Sequence, residues 1–238
     1  MTDAGPGKLA GIAFLAELAP DELTRLEKAC AWHRHKAGEQ ILDRHSDSRD
    51  VFFVAEGLVQ VVNFSSSGRE VAYAEVKTGG FFGELSAIDG EPRSATIVAV
   101  EPVLLAALQP RHFIDMLSRN PGIAVHVLQR MARIIRISDE RIMDLATLGA
   151  VQRVVVEILR MARPDPVKKG AWIIYPMPTQ ASIASKASTT RETVARVLGQ
   201  IEGMGLIRRQ ARNTFIDDKA KLERYAERLG AANHDGAR

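Results

Sequence analysis

The stretch Phe82-Gly83-Glu84-Leu85-Ser86-Ala87-Ile88-Asp89-Gly90-Glu91-Pro92-Arg93-Ser94-Ala95-Thr96 decides the reading of this 238-residue chain. Gly83 allows a close backbone approach, and Glu84 can accept hydrogen bonds from a hydroxyl. Backbone amides in a short helical turn near Leu85 and Ser86 favour an anion. Arg93 supplies a forked cation suited to a phosphate. Taken singly, Glu84 and Arg93 read as an ordinary ion pair. The complete run reads as a nucleotide site, with a carboxylate for a ribose hydroxyl beside a guanidinium for a phosphate.

Around this run, residues 37–109 show short apolar segments split by turn signals. Val51-Phe52-Phe53-Val54, Leu58-Val59-Gln60-Val61-Val62, Val71-Ala72-Tyr73-Ala74 and Thr96-Ile97-Val98-Ala99-Val100 are the segments. Glu56-Gly57, Ser65-Ser66-Ser67-Gly68, Thr78-Gly79-Gly80 and Asp89-Gly90-Glu91-Pro92 separate them. Many short strands at this spacing predict an antiparallel barrel or roll. Upstream, Pro20-Asp21-Glu22 with Leu23, Leu26 and Ala29 predicts a short helix. Residues 1–10, with Gly5, Pro6 and Gly7, read as disordered.

Downstream the period becomes helical. Pro121 sits in a first turn, and nothing breaks the helix before Gly149. Ala124, Leu128, Met131, Ile135, Ser138, Ile142 and Leu145 alternate at spacings of four and three, the pattern of a coiled-coil seam with one polar member. A helix buried in its own domain would show a similar stripe. Arg130, Arg133, Arg136 and Arg141 flank it and keep the apolar face narrow, which favours a dimer.

The last third, from about residue 150, reads as a helix containing Val154, Val155, Ile158 and Leu159, a strand-like stretch 172–178, and helices at Gln180–Lys186 and Arg191–Glu202. Thr179 and Thr190 are the expected N-caps of the last two. Leu206–Arg209 and Thr214–Ile216 form the hairpin of a wing. Arg191, Glu192 and Arg196 lie close enough on one helix face to enter a major groove together. Arginine reads guanine O6 and N7, and glutamate accepts from cytosine N4. Thr179, Thr190 and Arg209 suit phosphate contacts, which position without specifying.

Charge agrees with this division. Residues 150–238 hold 16 Lys and Arg against 9 Asp and Glu, a net of +7, while residues 1–149 carry a net of −4. A basic module on a mildly acidic body suits nucleic-acid binding, although a solvated basic surface has the same charge. Cys30 is the only cysteine, so an internal disulfide and an all-cysteine metal site are excluded within one chain. No apolar run approaches the roughly 20 residues needed to cross a bilayer, and no signal peptide is evident, so a cytoplasmic location is expected. The six histidines show no metal spacing and no nucleophile motif accompanies them, so neither a metal nor an enzymatic activity is expected.

The chain resembles the cyclic AMP receptor and fumarate–nitrate regulator (Crp/Fnr) family from about residue 14 to 217. The cassette at 79–96 and the run Arg191-Glu192-Thr193-Val194-Ala195-Arg196-Val197-Leu198 carry the resemblance. It implies an α+β protein: an antiparallel β-roll (residues 1–119), a dimerisation helix (120–148) and a winged helix-turn-helix (149–238). Glu84 would bind the ribose 2′-hydroxyl, and Arg93 the cyclic phosphate with Ser94 and the Ser86 amide. The implied ligand is cyclic AMP. The partners would be double-stranded DNA with a palindromic operator, a second copy of the chain and RNA polymerase. In the cyclic-AMP-binding members a polar pair on the long helix contacts the base, one residue from each subunit. Ser138 and Asp139 match that pair, with Ser for the usual Thr and Asp for the usual Ser. A carboxylate accepts from adenine or guanine alike, so cyclic GMP stays open. Ser188 stands where the family's turn often has Gly, which suggests a differently shaped turn. Gly149, in place of a common Asp, is the expected hinge. Alternatives are a cyclic-nucleotide-binding subunit acting on a protein partner, which would not need Arg191, Glu192 and Arg196, and a family member answering to another effector.

Overall fold

The computed structural model describes residues 7–64 and 70–235. It divides into two compact units, residues 1–135 and 136–238. The first opens with two 3-10 turns, Lys8–Gly11 and Ala13–Leu15, followed by α1 (Pro20–Ala29). Strands β1 (Ala31–His35), β2 (Gln40–Leu42), β3 (Val51–Glu56), β4 (Leu58–Phe64), β5 (Glu70–Lys77) and β6 (Phe81–Phe82) come next. After α2 (Glu84–Asp89), strands β7 (Thr96–Ala99) and β8 (Val103–Leu108) close two four-stranded antiparallel sheets, β1-β8-β3-β6 and β2-β7-β4-β5. The serine-rich turn expected at 65–68 lies outside the described residues.

Burial explains why β3 is a continuous apolar run rather than an alternating one. Successive strand residues point to opposite faces. Phe52 and Val54 join the core between the sheets with Phe82, Ile97 and Leu105. Val51 and Phe53 join a second core under the helices, with Leu9, Leu15, Phe113, Ile123 and Val127. With both faces covered, no position on Val51–Val54 is left for a polar residue. The same second core corrects the reading of residues 1–10 as disordered where the structure describes them, from residue 7 on; residues 1–6 lie outside the described residues. Leu9 is fully buried, and the Gly7 and Lys8 amides donate to the Glu27 carboxylate.

Helix α3 (Pro110–Arg119) leads into α4 (Pro121–Thr147). Ile123 and Val127 face the roll core, while Leu128, Ile135, Ile142 and Leu145 are each more than half exposed. The stripe that packs inside the chain is therefore offset from the seam read from the sequence: Met131 of that seam packs partly against the roll core, while Leu128, Ile135, Ile142 and Leu145 stay open. Among the described residues no helix is long and apolar enough to cross a membrane.

In the second unit, α4 is followed by α5 (Ala150–Met161), β9 (Arg163–Pro164), β10 (Trp172–Ile174), α6 (Gln180–Lys186), α7 (Arg191–Gly203), β11 (Arg208–Gln210), β12 (Asn213–Ile216) and α8 (Lys219–Asp235). A small sheet runs β11-β12-β10-β9. Val154, Ile158, Ile183, Val194, Val197, Leu198 and Ile201 build its core with Leu222 and Ala226 of α8, a helix absent from the sequence reading. The strand expected over 172–178 is limited to three residues, and the first wing strand starts at Arg208 rather than Leu206.

Candidate functional site: a nucleotide cassette and a helix-turn-helix

Gly83 ends β6 in the left-handed conformation (φ 87°) and caps α2, which lets the chain turn directly from strand to helix. The turn places Glu84 at the first helical position with 5% of its surface exposed, and Ser86 beside it at 2%. Ser86 Oγ donates to the Pro92 carbonyl at 3.3 Å, closing the loop that brings Arg93 back. Arg93 is 3% exposed. Its Nη1 donates to the Gly83 carbonyl at 3.0 Å, and its Nη2 to the Asp50 carbonyl at 2.8 Å and to Ser48 Oγ at 2.9 Å. Arg93 Nε is buried with no hydrogen-bond partner. Leu85 and Ser94 are exposed, and the Ser94 carbonyl accepts from Asn63 Nδ2 at 3.3 Å.

A carboxylate this deep needs a countercharge, and the residue that supplies it was missed in the sequence. Arg130 Nε lies 3.9 Å from Glu84 Oε1, its Nη2 donates to the Phe81 carbonyl at 2.7 Å, and its guanidinium lies 4.4 Å from the Phe81 ring centroid. Burial pushes the Glu84 carboxyl above the usual carboxylate range, and Arg130 and Arg93 offset only part of this. Two guanidiniums, a buried acceptor and an unsatisfied buried donor fit an anionic group carrying a neighbouring hydroxyl. The structure thus brings Gly83, Glu84, Ser86 and Arg93 together. Ser138 and Asp139 are exposed on α4, in the second unit.

In the second unit, Thr179 Oγ1 accepts from the Ser182 amide at 3.1 Å and Thr190 Oγ1 from the Thr193 amide at 3.2 Å, capping α6 and α7. Ser188 takes the left-handed conformation (φ 49°) between them. The expectation of a differently shaped turn is thus corrected: the turn adopts the conformation that favours glycine, with a serine in it. Arg191, Glu192 and Arg196 are exposed on α7, Glu192 and Arg196 on the side away from the buried Val194, Val197 and Leu198 and Arg191 at its first turn. Arg209 is engaged with Glu202, donating from Nε at 2.8 Å. A second missed residue, Arg153, ties this motif to the end of α4. It donates to the carbonyls of Leu148 at 2.7 Å, Ala187 at 2.8 Å and Ser188 at 3.1 Å. Beside it Arg160 pairs with Asp144 and Glu140, and burial raises the Glu157 carboxyl above its usual range.

Residues 32–120 match the cyclic nucleotide-binding domain and residues 152–225 the Crp-like helix-turn-helix domain. The chain is 28% identical over 218 residues to the cyclic AMP receptor protein of Thermus thermophilus, covering 92% of this chain and 98% of that one. It is 25% identical over 180 residues to the cAMP-activated global transcriptional regulator CRP of Salmonella typhimurium, covering 75% and 85%. Its fold is similar to a CooA variant from Carboxydothermus hydrogenoformans, with a TM-score of 0.75 at 19% identity over 91% of this chain and 95% of that one. A cyclic nucleotide-binding domain followed by a Crp-like helix-turn-helix places this chain in the Crp/Fnr family of transcription regulators.

Proposed function

We propose that this protein is a dimeric regulator that answers to cyclic AMP, with cyclic GMP as a second candidate, and binds a palindromic operator when liganded. The observation that carries the reading is the burial of Glu84 beside Arg93 and Arg130, which costs free energy in the empty protein and suits a ribose hydroxyl and a phosphate. Gly83, Leu85, Ser86 and Ser94 complete the cassette. The names of the two relatives, a cyclic AMP receptor and a cAMP-activated regulator, support the same effector.

Dimerisation is assigned to the apolar stripe Leu128, Ile135, Ile142 and Leu145, too exposed to stand bare on one chain. The functional division is roll (1–119), dimerisation helix (120–148) and DNA-binding domain (149–238), with Gly149 at the hinge. Arg191, Glu192 and Arg196 read base edges, while Thr179, Thr190 and Arg209 contact phosphates. Ligand binding sets two recognition helices about 34 Å apart, one turn of DNA. RNA polymerase is the partner at the promoter and the cytoplasm the site of action. Fluorescence anisotropy of a labelled palindromic operator tests this, with protein alone, with cyclic AMP and with cyclic GMP. Binding that requires a nucleotide supports the switch; equally tight binding without any nucleotide defeats it.

A further inference from the structure

We infer that Ser48, in the loop between β2 and β3, is a positioning residue for the phosphate contact: it holds the Arg93 guanidinium with a neutral oxygen and so leaves the positive charge for the ligand. The inference rests on the reading of the cassette as a cyclic-nucleotide site. Ser48 lies 45 residues before Arg93, outside the cassette, and its Oγ accepts from Arg93 Nη2 at 2.9 Å. The other acceptors on this guanidinium are the backbone carbonyls of Gly83 and Asp50. Among the described residues, Ser48 is thus the one side chain that hydrogen-bonds Arg93. Its loop is anchored beside the cassette, because the Arg44 amide donates to Oγ1 of the buried Thr96 at 3.3 Å.

A guanidinium carries five N–H donors. The three acceptors engage three of them, and two remain, including that of Nε, which is buried with no partner. Arg93 Cζ also lies 5.8 Å from the Phe52 ring centroid, another neutral neighbour. Among the described residues no carboxylate forms an ion pair with Arg93, and Glu84 is in ion-pair range of Arg130 instead. Burial draws the guanidinium below its usual pKa range, and the charges of Asp50 and Glu84 offset only part of this. The three oxygens therefore fix the direction of the cation without neutralising it. A phosphate supplies the missing charge through the donors that remain. A carboxylate in place of the Ser48 hydroxyl would supply it permanently and compete with the phosphate for the same group.

Isothermal titration of the full-length protein with cyclic AMP and with cyclic GMP tests this, using wild type, Ser48→Ala, Ser48→Thr, Ser48→Asp and Arg93→Ala, with thermal melts of each without ligand. Ser48 is exposed, so its variants should keep the fold. Ser48→Ala should bind about fivefold more weakly, and Ser48→Thr, which keeps the hydroxyl, should stay within about twofold of wild type. Ser48→Asp should lose about 10–100-fold in affinity and yet melt no lower than wild type, because its carboxylate pairs with Arg93. Each loss should be equal for the two nucleotides, which share the phosphate. Weaker binding without weaker folding is a split that a merely structural role would not produce. A Ser48→Asp protein that binds like wild type, or that loses affinity only together with its melting temperature, overturns the inference. So does a Ser48→Ala protein of wild-type affinity. If Arg93→Ala abolishes binding in that same series, the cassette reading survives and only the role of Ser48 falls. A wild-type protein that binds neither nucleotide, or an Arg93→Ala protein that binds as wild type does, overturns both.

Discussion

The Arg93 guanidinium donates from Nη1 to the carbonyl oxygen of Gly83 at 3.0 Å, so the cation of the cassette is oriented by the glycine that opens it. A Cβ at position 83 would stand 2.7 Å from that Nη1 and 2.7 Å from the Asp50 carbonyl, on a backbone with φ 87°. The backbone oxygen cannot swing away as a side chain can. Gly83→Ala should therefore destabilise the roll by about 1–2 kcal/mol from the left-handed conformation alone. It should weaken nucleotide binding at least tenfold by displacing Arg93. Thermal melts and nucleotide titration check the two effects; an alanine variant with wild-type affinity would remove Gly83 from the site.

Glu84 makes a prediction about pH. Its folded-state pKa is raised above the ordinary 4.5, mainly by burial. A carboxyl raised in this way contributes stability that is present below pH 4.5 and lost as pH rises through the folded value. Glu84→Gln should therefore melt no lower than wild type at pH 7 without ligand, and its stability should change less with pH above 4.5. Glu157 is raised in the same direction, so the Glu157→Gln variant gives the comparison. Nucleotide affinity should fall in Glu84→Gln alone, by about 10–100-fold for one charge-assisted hydrogen bond of roughly 1.5–3 kcal/mol. Equal affinity in the two variants would separate Glu84 from the ligand.

Ser188 stores strain. A non-glycine residue in the left-handed region costs about 1–2 kcal/mol, and Ser188 sits there at φ 49°. Glycine removes that cost but adds freedom to the unfolded chain, worth about 0.4–1 kcal/mol in the other direction. Ser188→Gly should gain roughly 0.5–1 kcal/mol net, read as a raised denaturant midpoint at constant slope. A lower midpoint would mean that the serine holds the turn through its own contacts.

The parts of the molecule that were legible in sequence share a property: their pattern is local. The cassette, the caps at Thr179 and Thr190, and the charged face of α7 lie within a few residues of one another. The two missed arginines act over long separations, Arg130 on Glu84 and Phe81, and Arg153 on Ala187 and Ser188. In sequence each is one basic residue among many on a helix. Helix α8 was missed for a different reason. Leu222 and Ala226 are buried and Tyr225 and Leu229 pack partly beside them, a helical i, i+3, i+4, i+7 face that was present in the sequence but was overlooked amid its charged neighbours. Leu9 shows the opposite error, where flanking glycines suggest disorder but one leucine fits a closed core.

Arg153 is the residue whose loss should spread furthest within the second unit. Its three carbonyl acceptors lie before Gly149 and on both sides of the Ala187–Ser188 peptide. Arg153→Met keeps most of the aliphatic stem and removes every donor. The expected cost is about 3 kcal/mol, because each charge-assisted bond contributes roughly 1.5–3 kcal/mol and water reaching the partly buried carbonyls restores a share of it. Operator affinity should drop as well, because the turn that sets α7 loses its tie to the end of α4. A melting temperature within one degree of wild type would show the three bonds to be replaceable by water.

Arg209 and Glu202 bear on DNA binding in opposite ways. Arg209 is assigned to a DNA phosphate, yet in the free protein it donates to the Glu202 carboxylate, which it also holds below its usual pKa range. An exposed pair of this kind adds little stability, so either partner can be changed without unfolding the wing. Arg209→Ala should weaken all operator sequences about equally and lower the magnitude of the salt slope by about one. Glu202→Gln should do the reverse, because it removes a carboxylate that competes with phosphate for the same guanidinium. Arg191→Ala should instead relax preference at one base pair, by about 1–3 kcal/mol, with little change in salt slope. Titrations at several salt concentrations on matched and single-mismatch operators separate the three patterns. If Glu202→Gln weakens binding as Arg209→Ala does, the pair acts as a unit that shapes the wing, and Arg209 is not a phosphate contact.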